Sequence, residues 1–261
     1  MLIFAIFRKE LQGYFASPLA YIVAGIFWLL SGSVFVFLLL GPRGVIQEVA
    51  TGEQLGLPIP AVDVAYIFLV RFLSTIGSIS SFILPILSMG LYAEERKGRT
   101  LELLATSPIS NWAIAIGKLL GVVTFYFTLL IPVIICEAIA FSAADPAFPL
   151  VVPLLAHLGL VLLATSILSL GMFISSLTAS SLISAISTFA LVLFLALMDV
   201  IADALPQPLG AIFTHLSLVK HYDTMLQGVL DIGSLTLFAS YIILGIFLTA
   251  QSIETLRFQR S

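Results

Sequence analysis

One cysteine, Cys136, in 261 residues excludes an intrachain disulfide and argues against a thiolate metal cluster. Charge is scarce too, at 10% of residues with a formal net charge of −3, and no basic run suits nucleic acid. A phosphate-binding loop is missing. That loop needs G-x-x-x-x-G-K-[ST], so that backbone N–H groups and a lysine hold the phosphates. Gly117-Lys118 is the only Gly-Lys pair, and Leu119 follows it inside an apolar run. There is no G-x-S-x-G elbow for a serine hydrolase. His215 and His221 do not share a helical face, which argues against a metal pair.

What the chain has in quantity is hydrocarbon. Sixty per cent of residues are hydrophobic and the mean hydropathy is +1.17, above the roughly 45–50% apolar content of soluble domains. The length accommodates about six helices of roughly 20 apolar residues each. The expected spans are Pro18 to Leu40, Ala65 to Tyr92, Asn111 to Cys136, Leu150 to Ser175, Leu182 to Met198 and Ile232 to Ile253. The first apolar run, Leu19 to Leu40, is too long for the h-region of a cleaved signal peptide.

Residues 1–17 read differently. Ile3, Phe7, Leu11, Tyr14 and Phe15 share one helical face, while Arg8, Lys9 and Gln12 lie on another. That pattern predicts a helix lying in the headgroup layer. Ser17-Pro18 reads as a cap and first-turn proline. Segment 199–231 is too long and apolar for a plain loop, and Pro206 and Pro208 break it. The residues leave two readings open for this external segment: short helices dipping into the outer leaflet, or an external loop with a surface amphipathic helix.

The densest charge is Glu94-Glu95-Arg96-Lys97-Gly98-Arg99-Thr100-Leu101-Glu102, six charged side chains in nine residues, between two spans. Charges of this density belong in water. Thr100 is placed to cap a short helix, Glu102 favours its positive end, and Leu101, Leu104 and Ala105 share a face before Pro108 ends it. This reads either as a docking ridge for a soluble partner or as a solvated loop that only fixes topology. With the N-terminus inside, Arg8, Lys9, Arg96, Lys97, Arg99, Lys118, Arg257 and Arg260 fall on the inner side, against Arg43, Arg71 and Lys220 outside. That bias predicts both termini in the cytoplasm. Lys118, two turns into its span, is expected to snorkel back to the surface.

Arg71, Glu137 and His157 lie near the outer ends of three spans, and intramembrane ionisable groups suggest a pathway, a gate or an ion pair. Ser180, Ser184 and Thr188 make a stripe on span five, which either lines a pathway or lets helices approach closely.

The run from Glu94 to Leu104, followed by Thr106-Ser107-Pro108-Ile109-Ser110, resembles the cytoplasmic loop between spans two and three of ABC-2 type transporter permeases. Phe7-Arg8-Lys9-Glu10-Leu11 and Tyr14-Phe15-Ala16-Ser17-Pro18-Leu19-Ala20-Tyr21 look like the opening of that family's gliding-motility-type branch. Leu216-Ser217, His221-Tyr222 and Gly228-Val229-Leu230-Asp231 resemble the segment before its last span.

The resemblance implies an all-α integral membrane protein with 1–261 as one transmembrane domain. It implies an ATPase-coupling loop over 93–110, built on Glu94, Glu95, Gly98, Arg99, Thr100, Leu101, Glu102, Leu104 and Pro108. The interfacial helix, with Phe7, Arg8, Lys9 and Leu11, would touch the same ATPase. The implied function is an exporter subunit in a prokaryotic inner membrane that binds no cofactor itself, with ATP and Mg in a cytoplasmic ATPase present in two copies. A second permease chain, identical or homologous, would complete the pathway, and an accessory subunit with a large external domain is a further expected partner beside membrane lipid. Family members usually carry Gly directly before the Thr, whereas Gly98 here precedes Arg99. The positive-φ turn is therefore expected either at Gly98 or, at some cost, at Arg99. Two other classes stay open on the residues alone: a lipid-directed membrane enzyme using Glu137, His157 or Asp199, and an ion-driven carrier.

Overall fold

The computed structural model describes residues 2–54, 63–100, 109–144, 148–206 and 208–258. Every regular element among them is an α-helix, and six stretches are long and apolar enough to cross a bilayer: Pro18–Thr51, Val64–Lys97, Asn111–Ser142, Val151–Leu177, Ser181–Ala204 and Ile232–Thr255.

Helix α1 (Leu2–Ala16) precedes α2 (Pro18–Leu40). Ser17 between them is extended (φ −87°, ψ 122°), but its side chain makes no cap bond. It works as a hinge ahead of Pro18 rather than as the expected hydroxyl cap. The stretch between the first two expected spans contains a helix, α3 (Val45–Gln54). Asp63 then caps α4 (Val64–Ser88), its Oδ1 accepting from the Tyr66 N–H at 3.0 Å.

Span two does not run unbroken to Tyr92 as expected. It stops at Ser88, turns at Met89 and resumes as α5 (Gly90–Lys97). Pro85 lies just upstream, and proline weakens a helix by removing an N–H and crowding the preceding turn. The orphan groups at the junction are satisfied from outside the helix, as the ends of a helix require. Tyr14 donates its hydroxyl to the Leu87 carbonyl at 2.6 Å. Ser175 Oγ accepts from the Tyr92 and Ala93 N–H groups at 3.0 and 3.1 Å and donates to the Met89 carbonyl at 2.8 Å.

Helix α6 (Asn111–Ser142) extends past the expected end at Cys136, and Ser110 caps it as expected, accepting from the Ala113 N–H at 3.2 Å. Helix α7 (Val151–Leu177) follows, then α8 (Ser181–Ala204). Within the 199–231 segment, α8 first runs on to Ala204, and two short helices follow, α9 (Leu209–Leu216) and α10 (Leu218–Leu226). Helix α11 (Ile232–Phe258) closes the chain.

Helix α7 is the axis of the bundle. Helices α4, α5, α6, α8, α10 and α11 all pack on it, and its Leu160, Ala164, Leu168 and Met172 are buried. Helices α2, α8 and α11 stand at the periphery. On α2, Ile22, Ile26, Leu29, Val36 and Leu40 form an exposed apolar face, and on α8 Leu182, Ile186, Leu193 and Leu197 do the same. Exposed apolar area on this scale needs a non-aqueous neighbour, and hydrocarbon chains supply it.

Helix α1 docks along α6. Gly117 and Gly121, one helical turn apart, make the groove: a Cβ at Gly117 would sit 2.8 Å from Ile6 Cγ2, and one at Gly121 would sit 2.8 Å from Glu10 Cβ. Small residues at this spacing let helices approach closely where lipid provides no hydrophobic drive.

Candidate functional site

The described part of the charged segment is the helix α5 and its exit. Gly98 ends the helix in a right-handed conformation (φ −78°), and the left-handed residue is Arg99 (φ 57°). The turn therefore falls on the residue with a side chain, at a cost of about 1 kcal/mol. Arg99 donates its N–H to the Arg96 carbonyl at 3.2 Å, and Thr100 Oγ1 donates to the Glu95 carbonyl at 3.2 Å. Leu101, Glu102, Leu104 and Pro108 lie outside the described residues.

Behind α5 lies Lys118. It does not snorkel to the surface as expected; its side chain is 4% exposed. Nζ bonds to the Leu91 carbonyl at 2.7 Å, Glu95 Oε1 at 3.0 Å and Glu10 Oε2 at 3.1 Å, so each of its three N–H donors has an acceptor. Nζ also lies 4.9 Å from the centre of the Tyr92 ring. With two carboxylates and a carbonyl converging on it, the ammonium has no need of water. Lys118 thereby joins α1, α5 and α6 at one point. On the other side, Arg96 Nη1 donates to the Ser176 carbonyl at 2.6 Å, placing a cation on the negative end of α7. Burial, aided by the Glu10 and Glu94 charges, raises the pKa of Tyr14 well above its ordinary value, so its hydroxyl stays a donor to Leu87.

Of the residues expected on the interfacial helix, Leu11 packs on the core, while Arg8 and Lys9 are exposed and Phe7 is partly buried.

At the other end of the bundle the three expected ionisable residues part company. His157 Nε2 lies 3.2 Å from Glu137 Oε2, and Glu137 is 2% exposed. His157 Nδ1 lies 2.8 Å from the Pro153 carbonyl oxygen, which only accepts, so Nδ1 carries a proton. The Glu137 contact is attractive only if the pair holds one further proton, on the carboxylate or on Nε2. The two atoms are close without being aligned as a hydrogen bond. Arg71 is elsewhere: it bonds Glu48 Oε2 at 2.8 Å on the exposed surface.

Ser184 and Thr188 are fully buried, and their hydroxyls have no hydrogen-bond partner among the described residues. Thr188 instead presses on Gly171 of α7, whose absent Cβ would fall 2.9 Å from Thr188 Cγ2. Ser184 and Thr188 thus have the close-packed geometry, Ser180 instead caps α8 by accepting from the Ile183 N–H at 3.4 Å, and a second hydroxyl stripe, on α4, was missed. Ser74 and Ser78 there are exposed and Ser81 is partly so. The signal was available, since Ser74, Ser78 and Ser81 follow helical spacing. They line a cavity of about 190 Å³ together with Phe189, Tyr222 and Asp223. Burial raises the pKa of Asp223 above its ordinary value, Asp199 adds to the shift and Lys220 opposes it. No group of three or more His, Cys, Asp or Glu suited to a metal ion occurs among the described residues.

Six stretches long and apolar enough to cross a membrane, an N-terminal helix docked on the third of them and a charged segment clamped between helices define a polytopic integral membrane protein. A family model described as ABC-2 family transporter protein matches residues 4–261, and the chain belongs to that family. No curated protein matches it in sequence.

Proposed function

We propose that this chain is the membrane subunit of an ATP-driven exporter of the gliding-motility-type branch, in the inner membrane of a prokaryote with both termini cytoplasmic. It forms half of a translocation pathway; a second copy or a homologous permease forms the other half. Two separate ATPase subunits supply ATP and Mg, since this sequence has no phosphate-binding loop. An accessory subunit with a large external domain belongs to the same reading.

One observation carries the coupling role: Lys118 and Arg96 fasten the charged segment to α1, α6 and α7 together. A push on Glu94, Glu95, Gly98, Arg99 or Thr100 is thereby delivered to three other helices, and buried ion pairs are stiff connectors because separating them is costly. Residues 101–108, with Leu101, Glu102, Leu104 and Pro108, complete the ATPase contact, and Phe7, Arg8, Lys9 and Leu11 of α1 flank it. The hydroxyl face of α4 suits the pathway, because an exposed polar face on a span is better placed against water or a second chain than against hydrocarbon. Ser184 and Thr188 hold α8 to α7 beside that path. Glu137 and His157, shielded from solvent, act as a gate element and lack the access a catalytic pair needs, and Arg71 with Glu48 marks the outer rim.

Affinity purification in mild detergent tests this reading. The chain is expected to bring down an ATPase with a phosphate-binding loop and to hydrolyse ATP with it; recovery without any ATPase overturns the proposal.

A further inference from the structure

A cavity of about 250 Å³ opens where α1, the start of α2, the α4–α5 junction and Lys118 of α6 meet. It falls just below the roughly 300–1,000 Å³ of small-molecule sites, room for a headgroup but not for a whole lipid. One wall is charged, with Lys9, Glu10, Glu94, Glu95 and Lys118. The other is apolar, and it runs out to the surface through Leu19 and Ile86, which are 44% and 37% exposed.

The charged wall is not self-satisfied. Lys118 spends its three donors on Glu10, Glu95 and Leu91. Lys9 stays 72% exposed, with a loose 3.6 Å contact to Glu95. Glu95 is held by Lys118 through Oε1, and its Oε2 is shielded from solvent, so it is not open to a ligand. Glu94 lines the same cavity and is exposed. One available cation, Lys9, beside one available carboxylate, Glu94, asks for a ligand with an anionic group and N–H donors, and the apolar wall asks for a hydrocarbon tail.

We propose that this cavity binds the headgroup of an aminophospholipid, going beyond the transport reading and independent of any ATPase. The phosphate faces Lys9, the primary ammonium donates to Glu94, and an acyl chain lies along Leu19 and Ile86. A choline headgroup lacks N–H donors, and a glycerol headgroup lacks the cation.

The test is native mass spectrometry of the purified chain after exchange into equal parts phosphatidylethanolamine, phosphatidylcholine and phosphatidylglycerol. The ethanolamine lipid is expected to be retained preferentially. Lys9→Gln and Glu94→Gln should each weaken its retention about tenfold, the effect of losing one charge-assisted contact. Gly13→Leu provides a variant that keeps the fold, since a Cβ at Gly13 meets nothing within 4 Å and leucine favours a helix over glycine. It fills the cavity mouth, so the lipid should be lost while the thermal midpoint is kept. Equal retention of the three lipids, or unchanged retention in all three variants, overturns the proposal. Soluble phosphoethanolamine competing as well as the whole lipid would overturn the acyl-chain assignment.

Discussion

Lys118 Nζ sits 2.7 Å from the Leu91 carbonyl oxygen, so a residue two turns inside the third span holds the first turn of α5 directly. The bond fixes where α5 starts and which way it points. Glu10 and Glu95 close round the same nitrogen, so α1, α5 and α6 move as one body or exchange costly bonds.

Lys118→Met is expected to destabilise the folded chain by about 3–5 kcal/mol, because it leaves Glu10 and Glu95 facing each other with no cation between them. Adding Glu10→Gln and Glu95→Gln to it should recover a large part of that loss. Thermal unfolding in detergent measures both, and strictly additive effects would contradict the network.

Arg99→Gly should stabilise the exit of α5 by up to about 1 kcal/mol, since glycine adopts positive φ without a Cβ penalty, less its greater freedom when unfolded. Gly98→Ala is the control. Gly98 is right-handed and its added Cβ would meet nothing nearer than the Glu94 carbonyl oxygen at 3.4 Å, so little change is expected. Thermal shift of the two variants distinguishes this turn from one centred on Gly98.

Glu137 and His157 should show coupling of about 0.5 kcal/mol or more in a double-mutant cycle on stability, as expected for groups in contact. Arg71 should be additive with both, because its partner is Glu48 and exposed pairs are worth little. Coupling of Arg71 to Glu137 would contradict the separation of the two sites.

Asp223→Asn should raise stability near neutral pH. The folded state holds the Asp223 proton more tightly than the unfolded state, so stability falls as pH rises from the ordinary carboxylate range through the raised folded value. The amide removes that penalty, and its advantage should vanish below about pH 4, where both states are protonated. Denaturation midpoints across pH check the sign.

Apolar run lengths and cap residues made the six spans legible, with starts at Pro18 and Asn111 found to the residue. The break at Met89 was not, since it depends on Ser175, which is far away in sequence. Lys118 was misread for the same reason: a lone lysine in an apolar run says nothing about two carboxylates arriving from other helices. Arg71, Glu137 and His157 were legible only as three ionisable residues at one depth; packing brought Glu137 beside His157 and Arg71 to Glu48. Depth follows from position in a span, but azimuth round the bundle follows from packing. The left-handed turn was narrowed to Gly98 or Arg99 by the sequence, and the backbone chose the costlier one.

The coupling role of the charged segment is tested most directly by a cysteine at Arg99, made in a Cys136→Ala background because the native thiol is exposed. A thiol-to-amine cross-linker of short span is applied to membranes holding the whole complex, and the products are identified by mass spectrometry. Arg99→Cys should join to an ATPase chain and resist membrane-impermeant thiol reagents added outside intact cells. Labelling from outside, or cross-linking confined to this chain while the ATPase is present, would contradict the account.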